Sequence, residues 1–142
     1  MVATPHIYVE PNVVINTTEV QCHFQMVTLI PDMPWIDVET YCNPGGEAPG
    51  RVSWRGTMRV RMSYGTDSAW AFFSALDPTI PHDMVIYPAD PGTGTATAAN
   101  PSATFEAYIG VLPFIPDHAV GESATFDLEY RVSGDVVFDA TP

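Results

Sequence analysis

Apolar and polar residues alternate with period two along several stretches of this chain, and such alternation predicts half-buried β-strands. The clearest stretch spans residues 51–63, where the residues predicted to face a core are Val52, Trp54, Met58, Val60 and Met62. The other predicted strands span residues 13–16, 18–30, 35–40, 80–87, 103–112, 124–132 and 136–138. We therefore expect a mainly β protein.

One helix, at about residues 66–76, interrupts this pattern. Ala69, Phe72, Phe73 and Leu76 recur at i, i+3, i+4 and i+7, the spacing of an apolar helix face. Thr66 or Asp67 is the expected N-cap, and Asp77-Pro78 is expected to end the helix. Seven or eight strands and one short helix indicate a β-sandwich or partly closed barrel, with the helix covering one sheet face.

The 142 residues fit one domain, which we place at residues 12–142. Residues 1–11 contain two prolines and no periodicity, so we interpret them as an N-terminal arm. Two stretches rich in glycine and proline, 41–50 and 88–102, are predicted to be loops, the first unable to hold regular structure by itself. We leave open whether these loops become ordered only on contact with a partner.

The net charge of −12 makes binding to a DNA groove improbable, because polyphosphate is repelled. All five basic residues are arginines, and four of them share the polar face of the strand 51–63: Arg51, Arg55, Arg59 and Arg61. Their partners are expected either on a neighbouring strand, with Asp127 and Glu129 as candidates, or on another subunit. We favour the subunit contact, because the planar arginine fork binds carboxylates bidentately and is weakly hydrated.

The sequence offers little support for catalysis or metal binding. His82-Asp83 lacks a nearby nucleophile motif, so we predict no catalytic residues and no enzyme activity. Cys22 and His23 are adjacent on a predicted strand and point to opposite faces, which makes a zinc site with Cys42 awkward; we predict no metal and no cofactor. The N-terminus has no basic start or apolar run, so we expect no secretory signal, reduced thiols and no membrane span.

The order of parts over residues 12–140 resembles the major tail tube protein of long-tailed, non-contractile (siphovirus) bacteriophages. Val38-Glu39-Thr40-Tyr41-Cys42 leads into a Gly/Pro loop, which an alternating strand and a short helix ending in Asp-Pro follow. Asn100-Pro101 then precedes a strand that runs into the turn Gly110-Val-Leu-Pro-Phe114. The strand Thr125-Phe-Asp-Leu-Glu-Tyr-Arg-Val132 closes on Ser133-Gly134-Asp135-Val136, in which Ser133-Gly134-Asp135 is predicted to form a turn.

This resemblance implies a structural virion protein, assembled in the host cytoplasm and located in the virion tail. Six copies would close into a ring, and rings would stack into a tube that conducts the genome without binding it specifically. The tape measure, terminator and distal tail proteins would be its partners. A loop would reach the next ring through Asn43, Pro44, Gly45, Gly46 and Glu47. Candidate acids of an anionic lumen are Glu19, Asp37 and Glu39, although the sequence does not say which face lines the hole.

Three other roles suit a similar β-sandwich and stay open at this stage: a tail terminator, a capsid decoration protein or an adhesion module. A terminator would form a single ring instead of a polymer. A small acidic hydrolase is a further alternative that no residue pattern supports.

Overall fold

The computed structural model describes residues 11–20, 23–40, 42, 45–88, 100–116 and 124–139. The strands are β1 (Asn12–Ile15), β2 (Thr18–Glu19), β3 (Phe24–Val27), β4 (Ile30–Asp32), β5 (Trp35–Asp37), β6 (Glu47–Pro49), β7 (Ser53–Arg61), β8 (His82–Tyr87), β9 (Ser102–Ile109) and β10 (Thr125–Asp139). The helix α1 spans Ala69–Ser74. The predicted arm lies outside the described residues, apart from Pro11, and so does most of the predicted loop 88–102.

Eight of the described strands form one antiparallel sheet in the order β2-β1-β8-β9-β10-β7-β3, and β4 pairs with β7 beside β3. The sheet curls into a half-barrel, which confirms the predicted mainly β fold with little helix. The separate pair β5–β6 continues the β4–β7 ribbon beyond the sheet. We call Trp35–Pro49 the hairpin.

The core fills the concave side of this half-barrel. Alternation along β7 and β10 buries Met58 and Val60 on one strand and Leu128 and Tyr130 on the other, as predicted. The remaining core residues come from all around the sheet and from the segment after β9: Val13, Ile15, Val20, Phe24, Met84, Ala103, Phe105, Ala107, Ile109 and Leu112. Ala69 and Phe73 of α1 are buried with them, so the helix packs on the core as expected.

The helix is shorter than predicted and has a different cap. Ser68 is the N-cap, and its hydroxyl accepts a hydrogen bond from the Ala71 N–H at 3.1 Å. Asp67 adopts a positive φ of 57° and belongs to the preceding turn, so the predicted cap at Thr66 or Asp67 was wrong. A serine side chain in extended backbone supplies the same acceptor one residue later.

Strand β10 runs without interruption through the predicted turn at Ser133-Gly134-Asp135. Its register on β9 shifts between Ser133 and Val137, and Gly134 adopts a φ of +89°. A glycine with positive φ forms a β-bulge here instead of a turn, because both flanking segments keep the same neighbour, β9. The prediction of two separate strands was therefore wrong.

The single strand predicted for residues 18–30, by contrast, is divided in the structure. The structure divides it into β2, β3 and the first residue of β4, and β4 extends beyond the predicted end of the strand to Asp32. The chain from β3 to β4, which we call the edge chain, still runs alongside β7. Strand β3 pairs with Met58–Val60, and β4 pairs with Ser53–Arg55. Likewise, Glu47–Pro49 in the predicted loop 41–50 is strand β6, because pairing with β5 supplies the partner that its composition alone did not reveal.

A tyrosine joins this edge chain to the middle of the sheet. Between β3 and β4, Thr28 donates its backbone N–H to the Thr57 carbonyl at 2.9 Å. The buried Tyr130 hydroxyl passes across β7 at Gly56 and donates to the Thr28 carbonyl. A Cβ on Gly56 would lie 2.0 Å from that carbonyl oxygen and 2.3 Å from the hydroxyl, so this crossing requires glycine. The contact fixes the edge chain just before it leads into the hairpin.

Candidate assembly surfaces

The polar face of β7 lies on the convex side of the sheet, beside the polar face of β10. Arg59 is directly opposite Asp127 in the strand register, and its Nε donates to Asp127 Oδ1 at 3.0 Å. The structure thus brings one predicted pair of residues together within the subunit. Both side chains are about half exposed, so this ion pair contributes only ~0–1 kcal/mol to folding.

The other predicted ion-pair residues are arranged differently. Arg51 precedes β7 and approaches Asp135 of β10 at 4.0 Å, with both side chains exposed. Arg61 lies opposite Thr125, and Glu129 lies opposite Thr57. In the part of the chain that the structure describes, neither Arg61 nor Glu129 forms an ion pair.

The residue directly opposite Arg55 is Arg131, so two like charges face each other across β7 and β10. We call this the arginine rung. Among the described residues neither arginine has a carboxylate within ion-pair distance. Like charges directly opposite on a sheet destabilise the isolated subunit. The rung extends sideways to Ile30 of β4 and Tyr108 of β9, which are 50% and 43% exposed.

The hairpin is the second distinctive surface. Trp35, Ile36 and Val38 are 63%, 52% and 43% exposed, so apolar side chains on both faces of a two-stranded ribbon meet solvent. Such a ribbon is marginally stable by itself in water. The extended chain between Glu47 and Ser53 spans up to ~20 Å, so the hairpin projects beyond the sheet by up to that length. A large exposed apolar surface on a projecting element is typical of a protein–protein contact.

Side chains organise the turn of the hairpin. Asp37 Oδ1 accepts a hydrogen bond from the Glu39 N–H at 2.9 Å, and Glu39 Oε1 accepts one from the Gly45 N–H at 2.8 Å. Two of the three candidate lumen acids are therefore on the hairpin, whereas Glu19 is exposed on the edge strand β2. Of the predicted inter-ring residues, Gly45, Gly46 and Glu47 belong to the hairpin, and Asn43 and Pro44 lie outside the described residues.

A third exposed surface lies at the other end of the sheet, where β7 and β9 end and β10 begins. Val111 and Ile115 are 71% and 69% exposed. Phe114, between them, stacks edge-on against Tyr64 and Trp70, and the Tyr64 hydroxyl donates to the Phe114 carbonyl. We call this the basal patch. Sequence reasoning identified Gly110–Phe114 only as a turn and assigned it no surface role.

The other residues considered for chemistry lie in hydrogen-bonded turns or on the surface. His82 is buried, and its ring nitrogens lie 2.8 Å from the Asp77 carbonyl oxygen and 3.0 Å from Asn16 Nδ2. Hydrogen bonds from the Thr79 hydroxyl and backbone N–H lower the pKa of Asp77, which is a turn-forming carboxylate. Cys42 is an exposed free thiol, and Cys22 lies outside the described residues. The described residues contain no cluster of three potential metal ligands and no helix able to cross a bilayer.

Comparison with known proteins identifies the fold. No protein-family model and no curated protein matches the chain. A chain in the cryo-EM structure of the sheath-tube complex of PVC, an extracellular contractile injection system, in the extended state superposes with a TM-score of 0.67 at 15% identity, covering 96% of this chain and 91% of that chain. A chain in the PVC sheath/tube terminator, also extended, gives 0.65 at 15% identity, covering 99% and 100%.

These neighbours come from a contractile system, whereas the resemblance proposed from the sequence was to proteins of non-contractile tails. At 15% identity the likeness extends to the fold and does not select either system. The chain therefore has a phage-tail-like fold of the tube and tube-terminator type.

Proposed function

We propose that this protein is the repeating subunit of a tail-type tube. Copies would close side by side into rings, six to a ring, and the rings would stack head to tail around a continuous channel. The fold it shares with chains of the PVC sheath-tube complex and terminator supports a structural role of this kind and a non-enzymatic one.

The observation that carries the proposal is the position of the exposed apolar surfaces. The hairpin projects from the end where β7 begins, and the basal patch lies where β7 ends. A subunit with different adhesive surfaces at its two ends joins its neighbours heterologously, and heterologous contacts build open filaments when the rotation between successive copies does not close a ring. That is the arrangement that stacking of rings requires.

The charge of the chain supports a conduit for nucleic acid. With a net charge of −12, a wall built from this protein would repel phosphates, whereas a cationic wall would retain them through counterion release. Glu19 remains a proposed lumen acid, because it is exposed on a sheet edge. The genome would pass through without specific binding, and the partners would be the other tail proteins: tape measure, terminator and distal tail components.

A tube terminator is the second candidate, favoured by the coverage of the PVC sheath/tube terminator chain along its full length. Negative-stain electron microscopy of the concentrated protein separates the two. Hollow filaments with an axial ring repeat support the tube, and single rings that never stack support the terminator. A protein that forms neither, alone or with a tail-initiation complex, would contradict both.

A further inference from the structure

Three pairs of like charges lie directly opposite each other in the strand registers of the described residues, and two of these pairs, of opposite sign, adjoin exposed apolar residues. One is the arginine rung, Arg55 and Arg131. The other is on the hairpin, where Asp37 of β5 is directly opposite Glu47 of β6. We call this the acidic rung. Residues directly opposite on antiparallel strands have Cβ atoms roughly 5 Å apart, so the two rungs have the same spacing. Each rung is unfavourable alone, and the two rungs are opposite in charge and equal in spacing.

The arginine rung is at the edge of a polar cleft on the convex side of the sheet. The cleft has a volume of about 210 Å³ and forms where the edge chain passes from β3 to β4. Thr57 forms part of it, and Glu129 adds one negative charge beside the two arginines. The exposed Ile30 and Tyr108 flank the rung, so apolar surface adjoins the charge. Arginine and tyrosine beside apolar surface are typical of the centre of a protein interface.

The hairpin presents the complementary set. Trp35 and Asp37 are two residues apart on β5 and share a face, and Glu47 lies on that same face of β6. Asp37 Oδ1 accepts the Glu39 N–H, and among the described residues the second oxygen has no hydrogen-bond donor. The Glu47 carboxylate is exposed and forms no ion pair within the described part of the chain. This face therefore offers two carboxylates and an exposed aromatic ring.

We propose that the acidic rung of one copy docks on the arginine rung of another copy, with Trp35 against the exposed apolar residues that flank the cleft. This inference rests on the proposed stacking and names the residues of one stacking contact. Arg55 and Arg131 would each gain a carboxylate, and the arginine fork can hold it bidentately. The donor and acceptor surfaces are different parts of the chain, so every copy can engage one neighbour through each.

Two other occupants of the cleft fit less well. DNA would bring many phosphates to a subunit with a net charge of −12 and to a cleft that already contains Glu129. A second acidic rung, Asp83 opposite Glu106, lies on the same convex face as the arginines. Docking through it would bring two convex faces together and close a dimer, whereas the hairpin projects beyond the sheet and can reach a subunit further along.

Charge-swapped variants test this contact. Variant A carries Arg55→Glu and Arg131→Glu. Variant B carries Asp37→Asn and Glu47→Lys, in which the asparagine keeps an acceptor for the Glu39 N–H. The control carries Asp83→Asn and Glu106→Gln. All four substituted positions of A and B are exposed, so each variant should unfold at the wild-type temperature, which a thermal melt checks.

Assembly is then followed by sedimentation velocity and electron microscopy over a concentration series. We expect the concentration needed for A or B to assemble alone to rise about tenfold or more, because each leaves like charges facing each other. An equimolar mixture of A and B should regain assembly, and the control should assemble like wild type. Variants A and B that both assemble like wild type would overturn the rung contact and leave the tube proposal intact. A wild-type protein that never associates would overturn both.

Discussion

Replacing Tyr130 with Phe tests how strongly the sheet anchors the chain segment that leads into the hairpin. The hydroxyl is buried, and its hydrogen bond to the Thr28 carbonyl crosses β7 at Gly56. The variant removes one hydrogen bond and leaves that carbonyl without this donor, so we expect a loss of about 1–2 kcal/mol in the free energy of unfolding. For a chain of this size the melting temperature should fall by about 3–8 °C.

The same variant should change the alkaline limb of the stability profile. Burial raises the pKa of Tyr130 in the folded state above its ordinary value of 10.0. A folded state that holds this proton more tightly than the unfolded chain has its full stability below pH 10 and loses it as the pH rises above that value. Above pH 10 the free energy of unfolding of the wild type should fall by about 1.4 kcal/mol per pH unit for one proton, and the Tyr130 variant should lack this decrease.

Urea unfolding at a series of pH values, followed by tryptophan fluorescence, measures both effects. Tyr108→Phe is the matched control, because this side chain is 43% exposed and its hydroxyl has no partner among the described residues. An unchanged midpoint at pH 7 for the Tyr130 variant would refute the structural role of the hydrogen bond. An alkaline slope that persists in the variant would show that a different group loses the proton.

Three further substitutions separate folding from assembly. Arg59→Gln breaks the partly exposed ion pair with Asp127 and should change the unfolding free energy by ~0–1 kcal/mol in a urea titration, so a larger loss would mean that the pair is better shielded than the structure shows. Phe73→Ala removes the buried ring of α1 and should cost about 3–5 kcal/mol by the same titration, and a smaller cost would place the helix outside the core. Trp35→Ser should leave the melting temperature unchanged and prevent filament formation in negative stain, and normal filaments would exclude the hairpin from the stacking contact.

The sequence predicts the faces of the strands better than their ends. Alternation identified the buried residues of β7 and β10 correctly, because side-chain direction follows directly from the two-residue period of a strand; it was wrong for Val52, which precedes β7 and is exposed. The ends depend on neighbours that the sequence does not show. Gly134 permits either a turn or a bulge, and only its position beside β9 selects the bulge.

The candidate surfaces were predictable in composition and not in register. The sequence showed that Arg55 and Arg131 point away from the core, but which residues face each other depends on how β7 and β10 align. A shift of two residues would have preserved every buried position and paired Arg131 with a different neighbour. The acidic rung was hidden for a similar reason, since Glu47 was assigned to a loop and has a partner only because β6 pairs with β5.

Electron microscopy of the assembled wild-type protein tests the central claim most directly. Image reconstruction should show hollow tubes made of stacked rings, with the hairpin of each subunit buried against the next ring and an open, predominantly acidic channel. Tubes in which the hairpin is free in solvent, or a channel lined by the arginines of β7, would contradict the account.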